Sequence, residues 1–186
     1  MGRRNGTVLA FVFSTASLTL SGCYSDSPLD SSPQVQLDPA LLGSWRCVSA
    51  DPDSANAATV TFAVVPGKER EYHLTWQEPE KEADAYRAYI SSVRGAMFLN
   101  VRPLEESTHA GWAFFRYSFP RSNILYAEFV REEPFKDKRA SASPAAARAT
   151  LETALRAKPD ALQEFCVCLR APDGRSKKDN ELSSNR

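Results

Sequence analysis

The chain has 186 residues, 42% of them hydrophobic, with 23 basic and 23 acidic side chains and a formal net charge of zero. That balance gives no electrostatic reason to seek nucleic acid or anionic headgroups, and eight scattered glycines supply no phosphate-cradling loop. His73 and His109 are the only imidazoles and neither stands at ligand spacing from another donor, so no catalytic residue, metal or cofactor is expected.

In chain order, Arg3 and Arg4 precede an apolar run over 7–20, which ends in Leu20-Ser21-Gly22-Cys23. A charged start followed by about 14 apolar residues is an export signal, too short to span a bilayer core that needs roughly 20. Leu-Ser-Gly-Cys resembles the lipobox of bacterial lipoproteins. The resemblance implies cleavage before Cys23, a diacylglyceryl thioether on its sulfur and membrane attachment through several acyl chains, each buried CH₂ contributing about 0.8 kcal/mol. It also implies a place in the cell envelope, at the outer membrane where the host has one, because Tyr24 rather than Asp follows the Cys. Residues 1–22 are then the signal peptide, and 23–186 form a 164-residue chain of net charge −2.

The stretch 23–37 is rich in Ser, Asp and Pro and reads as a flexible tether. Asp38-Pro39 caps one helical turn that Gly43 stops. Period-2 segments follow over 43–50, 58–65, 71–77, 86–93, 96–101, 112–119 and 124–130, separated by turns such as Pro66-Gly67 and Arg94-Gly95; consecutive hairpins of this kind make a meander that curls into a barrel or sandwich. The period then changes. Ser143 caps and Pro144 opens a helix with Ala147, Leu151, Ala154 and Leu155 on one stripe, and Arg148, Glu152 and Arg156 four apart on the exposed side. After Pro159 the segment 165–170 reads as a closing strand with Phe165, Val167 and Leu169 inward, and 171–186 as a disordered polar tail.

A short turn and then Gly43-Ser44-Trp45 at the head of about eight antiparallel strands resembles the G-x-W signature of lipocalin-like barrels. The resemblance covers 38–170 and implies an all-β fold: a small antiparallel up-and-down barrel with, in this chain, one helix before the last strand. It also implies a structural role for Trp45, capped by a late Arg for which Arg170 is the candidate, a contact worth about 0.5–2 kcal/mol. An open sheet with the helix on one face is the second fold reading. In a closed barrel the first and last strands adjoin, so Cys47 is expected to bridge to Cys166 or Cys168, with Cys166 preferred. Strict alternation puts Cys47 and the C-x-C pair on opposite faces, so that bridge requires a bulge or twist. Zinc binding by the three thiols, and a C-x-C redox site, are the alternatives.

The abundant aromatics read first as core. Tyr89, Phe115 and Tyr117 with Arg87 and Arg116 are a second possibility, as a mouth or recognition patch. The functional expectation is a non-enzymatic, lipid-anchored binding or interaction module with a protein partner. The alternatives are a carrier of a small hydrophobic ligand inside the barrel, and a hydrolase or redox enzyme.

Overall fold

A computed structural model describes residues 25–51, 57–104, 111–157 and 159–172. Eight antiparallel strands, each paired with its sequence neighbours and the last with the first, close an up-and-down barrel. They are β1 (Gly43–Ser49), β2 (Ala57–Val65), β3 (Lys68–Gln77), β4 (Asp84–Val93), β5 (Ala96–Pro103), β6 (Ala113–Arg121), β7 (Ile124–Val130) and β8 (Leu162–Arg170). Helix α1 (Pro144–Ala157) lies between β7 and β8, flanked by short 3₁₀ segments. Closure leaves no strand edge to template aggregation.

The hairpins at Gly67 and at Arg94-Gly95 turn on residues with positive φ. Arg94 and Gly95 have φ of 53° and 81°, the pair of left-handed residues a tight two-residue turn needs to match strand twist. All three tight turns, at Gly67, at Arg94-Gly95 and after Arg121, lie at one end of the barrel, because the strands alternate up and down.

Alternate residues of β1, β2 and β3 point inward and fill the lumen. Trp45, Phe62, Tyr72 and Leu74 join Ile90, Leu99 and Leu125 in one buried cluster, each large apolar side chain contributing about 1.5–3 kcal/mol on burial. β4 and β5 depart from the alternation: Ala88–Ser91 and Phe98–Val101 are buried at every position. Their outward residues meet a second core built by α1, where Ala147 and Leu151 pack with Val93, Phe98, Phe114, Phe135 and Leu29. The stripe over 147–155 thus has its partner in the outer face of the barrel. Ser143 Oγ accepts from Ala146 N at 3.2 Å and caps the helix as expected.

The expected tether is a strap. Of 23–37, the part from Ser25 onward is described, and it runs along the barrel. Ser25 N donates to Trp112 O (3.0 Å) and Trp112 N to Ser25 O (2.7 Å), and Leu29 is 1% exposed inside the second core. The strap reaches the tight-turn end at Asp38, whose amide donates to the Tyr72 hydroxyl at 2.6 Å. A Ser/Asp/Pro-rich composition that favours solvation is overridden by one deeply buried leucine and a polar network described below. The expected tail begins at Ala171, whose N donates to Ser44 O at 2.8 Å; beyond Pro172 it lies outside the described residues.

Candidate functional site

The seam between β1 and β8 carries most of the residues singled out in the sequence. Its register pairs Trp45 with Arg170, Cys47 with Cys168 and Ser49 with Cys166, and residues opposite each other in an antiparallel pair share a face. Trp45 and Cys47 are buried, so Cys166 and Cys168 are buried with them, while Val167 and Leu169 are exposed. The expected inward placement of Val167 and Leu169 is therefore corrected. A register shift at Ala127/Glu128, where Ala127 pairs with Cys166 and Glu128 with Glu164, makes Phe165 the extra residue of a bulge. That bulge lets Phe165 join the inner cluster beside Cys166: its ring sits 5.0 Å from Phe115 and 5.6 Å from Trp76.

Cys47 is bonded to Cys168, not to the preferred Cys166. Direct cross-strand opposition decides this, since Cys166 is opposed by Ser49 and sits one inward step further along β8. Cys166 keeps a free, buried thiol, its Sγ 3.5 Å from Cys168 Sγ. Among the described residues these three sulfurs form the group with ligand atoms mutually within 4.8 Å, but two of them are consumed by the bond and offer no thiolate. Burial pushes the Cys166 thiol up to about 12. Thiolate is the species that attacks a disulfide, so the neighbouring thiol is held in its inert form.

At the tight-turn end the indole of Trp45 donates to Leu41 O at 2.8 Å, and the Arg170 guanidinium lies 4.2 Å from its ring centroid. The same guanidinium donates to Leu42 O (2.9 Å) and Ala40 O (2.5 Å), tying the strap's last turn over the barrel mouth. Gly43 sits between them at φ +103°, with Arg170 Nη1 3.5 Å from where a Cβ would stand. The backbone conformation there is one that residues with a Cβ rarely adopt.

The outer face of β4 and β5 holds a polar network that composition did not reveal. Asn100, fully buried, accepts from Leu29 N at 2.9 Å and donates to Ser91 Oγ at 2.8 Å. Ser91 Oγ donates to Asp30 Oδ2 and the Tyr89 hydroxyl to Asp30 O, both at 2.6 Å. Arg148 completes the set: Nη2 donates to Asp30 Oδ1 at 2.6 Å and Nη1 to Ser92 O at 2.8 Å. Arg148 therefore reaches the strap rather than Glu152, which instead faces Arg156 at 3.7 Å. Burial, with Asp30 nearby, holds the Tyr89 phenol above its ordinary range, so it stays a donor.

The remaining expected features fall elsewhere. Tyr89 and Tyr117 are buried and Phe115 packs in the core, while Arg116 is paired with Glu128 (2.5 Å) and Arg87 with Glu71 (3.4 Å). These five make no exposed recognition patch, because the rings are drawn into the core and each cation faces a carboxylate. His73 stands on the outer side of β3 opposite Ala63 and Arg87; His109 and Cys23 lie outside the described residues. A recess bordered by Ser25, Trp112, Phe114, Glu132 and Phe135 measures only about 10 Å³, the lower limit for one water. On the outside of the seam, Val48 (56% exposed) lies opposite Val167, and Leu169 (55%) lies opposite Ile124 of β7.

No family model, curated protein or solved structure matches the chain.

Proposed function

We propose that this chain is a lipid-anchored lipoprotein of the bacterial cell envelope, attached through acyl chains on Cys23, whose barrel acts as a binding or interaction module rather than an enzyme. The observation that carries the reading is the order Arg3-Arg4, apolar 7–20, Leu20-Ser21-Gly22-Cys23 ahead of the fold. A disulfide between Cys47 and Cys168 agrees with an oxidising compartment. Tyr24 at the position after the lipidated residue favours the outer membrane. A lumen occupied by Trp45, Phe62, Tyr72 and their neighbours supports recognition on the outside of a filled, lipocalin-like barrel over carriage of an apolar ligand within it. The exposed Val48, Val167 and Leu169 are the apolar surface such a partner protein would cover.

Intact-mass measurement of membrane-extracted protein tests the anchor: a chain beginning at Cys23 with a diacylglyceryl mass is expected, and Cys23→Ala is expected to move the protein from membrane to soluble fractions. Retention of Met1 with an unmodified thiol would refute the reading.

A further inference from the structure

We propose that the acylated chain holds its barrel directly against the lipid surface through the face around Trp112, with no free tether between lipid and fold. The inference rests on the reading of Cys23 as the acylated residue and adds where the fold meets the membrane. Consecutive Cα atoms are 3.80 Å apart, so with only Tyr24 between them the lipid-bearing position and Ser25 are at most roughly 8 Å apart. Ser25 does not move freely. It is 2% exposed, both of its backbone groups bond to Trp112, and its own Oγ donates to Ser27 O at 2.6 Å. Four residues on, Leu29 and Asp30 are fixed by the second core and by Asn100, Ser91 and Arg148. To stand off the membrane the chain would have to strip this whole segment from the barrel.

The surface around Trp112 suits an interface. Trp112 is partly exposed, stacks edge-on against Tyr89 at 5.5 Å and has Arg102 5.8 Å from its ring; Leu104, at the same end of β5, is 44% exposed. An amphipathic indole with an arginine and an exposed leucine is the composition that settles at headgroup level. The charges nearby decide which headgroups. Arg102 and Arg131 share this end of the barrel with Glu132 and with the loop connecting β3 to β4, where Glu80, Glu82 and Asp84 accompany a Glu78 paired with Lys81. The excess of carboxylates disfavours an anionic surface, and the surface that fits is zwitterionic. Arg121 lies nine residues along β6 from Trp112, roughly 30 Å at 3.3 Å per residue, so the tight-turn end carrying Arg94 and Arg121 faces away from the bilayer.

The test uses acylated full-length protein in phosphatidylcholine vesicles whose acyl chains are brominated near the headgroup, with tryptophan emission as the readout. Trp45 is fully buried, but Trp76 is partly exposed at the same end of the barrel, so the reference chain and both variants are made in a Trp76→Phe background, which leaves Trp112 as the ring within reach of the lipid. Brominated lipid is expected to quench emission clearly, and Trp112→Phe to lose most of that quenching. A second variant keeps the ring and inserts about ten Gly/Ser residues between Tyr24 and Ser25; it too is expected to lose most of the quenching. Intact mass is measured on the same preparations. An acylated chain with no quenching, or with quenching unchanged in both variants, overturns the docked face and leaves the anchor standing. A chain without lipid overturns both.

Discussion

Reduction of the Cys47–Cys168 bond is the sharpest perturbation of the seam, because it changes no side-chain identity. The bond spans 121 residues, nearly the whole barrel, and the loop-closure expression for a cross-link of that length gives about 5 kcal/mol at 25 °C. The pairing of β1 with β8 survives reduction in the folded state, so the cost falls on the unfolded chain, which regains the freedom the bridge denied it. Urea unfolding of oxidised and reduced protein should differ by about 3–5 kcal/mol, with a lower midpoint and a slightly steeper slope for the reduced chain, whose unfolded state is more expanded. Converted to temperature, the melting point should fall by about 10–15 °C. Two variants identify the partner. Cys166→Ala should keep the gap between oxidised and reduced protein, and Cys168→Ala should abolish it. Equal midpoints for oxidised and reduced wild type, or a gap lost in Cys166→Ala, would refute the assignment made from strand register.

Arg170→Met removes the guanidinium over Trp45 and both hydrogen bonds to Leu42 O and Ala40 O; a loss of about 2–3 kcal/mol is expected in urea unfolding, and Arg170→Lys should recover little of it because a single ammonium cannot span both carbonyls. Asp30→Asn leaves Arg148 and Ser91 without their carboxylate, which should cost about 1–3 kcal/mol and speed exchange of the Leu29 amide in hydrogen-exchange mass spectrometry. High pH should destabilise the fold: the Cys166 thiol is raised from 9.0 to about 12 when folded, so the folded chain holds that proton more tightly than the unfolded one. Its contribution is complete below pH 9 and declines as pH rises toward 12, by at most about 1.4 kcal/mol per pH unit for each such group. Tyr72, Tyr89 and Tyr117 act in the same sense from about pH 10 upward. Urea midpoints between pH 8 and 11 check the slope, and alkylation of Cys166 at pH 8 should require unfolding.

The eight strands were legible because β2 and β3 alternate cleanly, and the helix because its four apolar positions fall on one stripe. Reading the last strand by hydrophobicity failed. Phe165, Val167 and Leu169 are larger apolar groups than the cysteines between them, yet Trp45 and Cys47 on the neighbouring strand set the face, and cysteine is among the most buried residue types. The bulge at Phe165 reconciles the two by putting adjacent residues inward, and no local pattern marks a bulge without a glycine.

The strap was illegible for a different reason. Its Ser, Asp and Pro residues have the composition of a solvated linker, and what binds them lies about 60–120 residues away at Tyr89, Ser91, Asn100 and Arg148. One signal could have found it. Asn100 stands in the apolar run Met97–Val101, and Ser91 in Tyr89–Val93, on strands otherwise buried on both faces. A buried amide or hydroxyl needs partners, and closed strands satisfy only their backbones. Polar side chains pointing away from the lumen therefore require a further segment to be laid over β4 and β5. Helix α1 provides Arg148, but the groups that accept from Ser91 and Arg148 and donate to Asn100 come from Leu29 and Asp30, so the barrel's outer face and the strap specify each other.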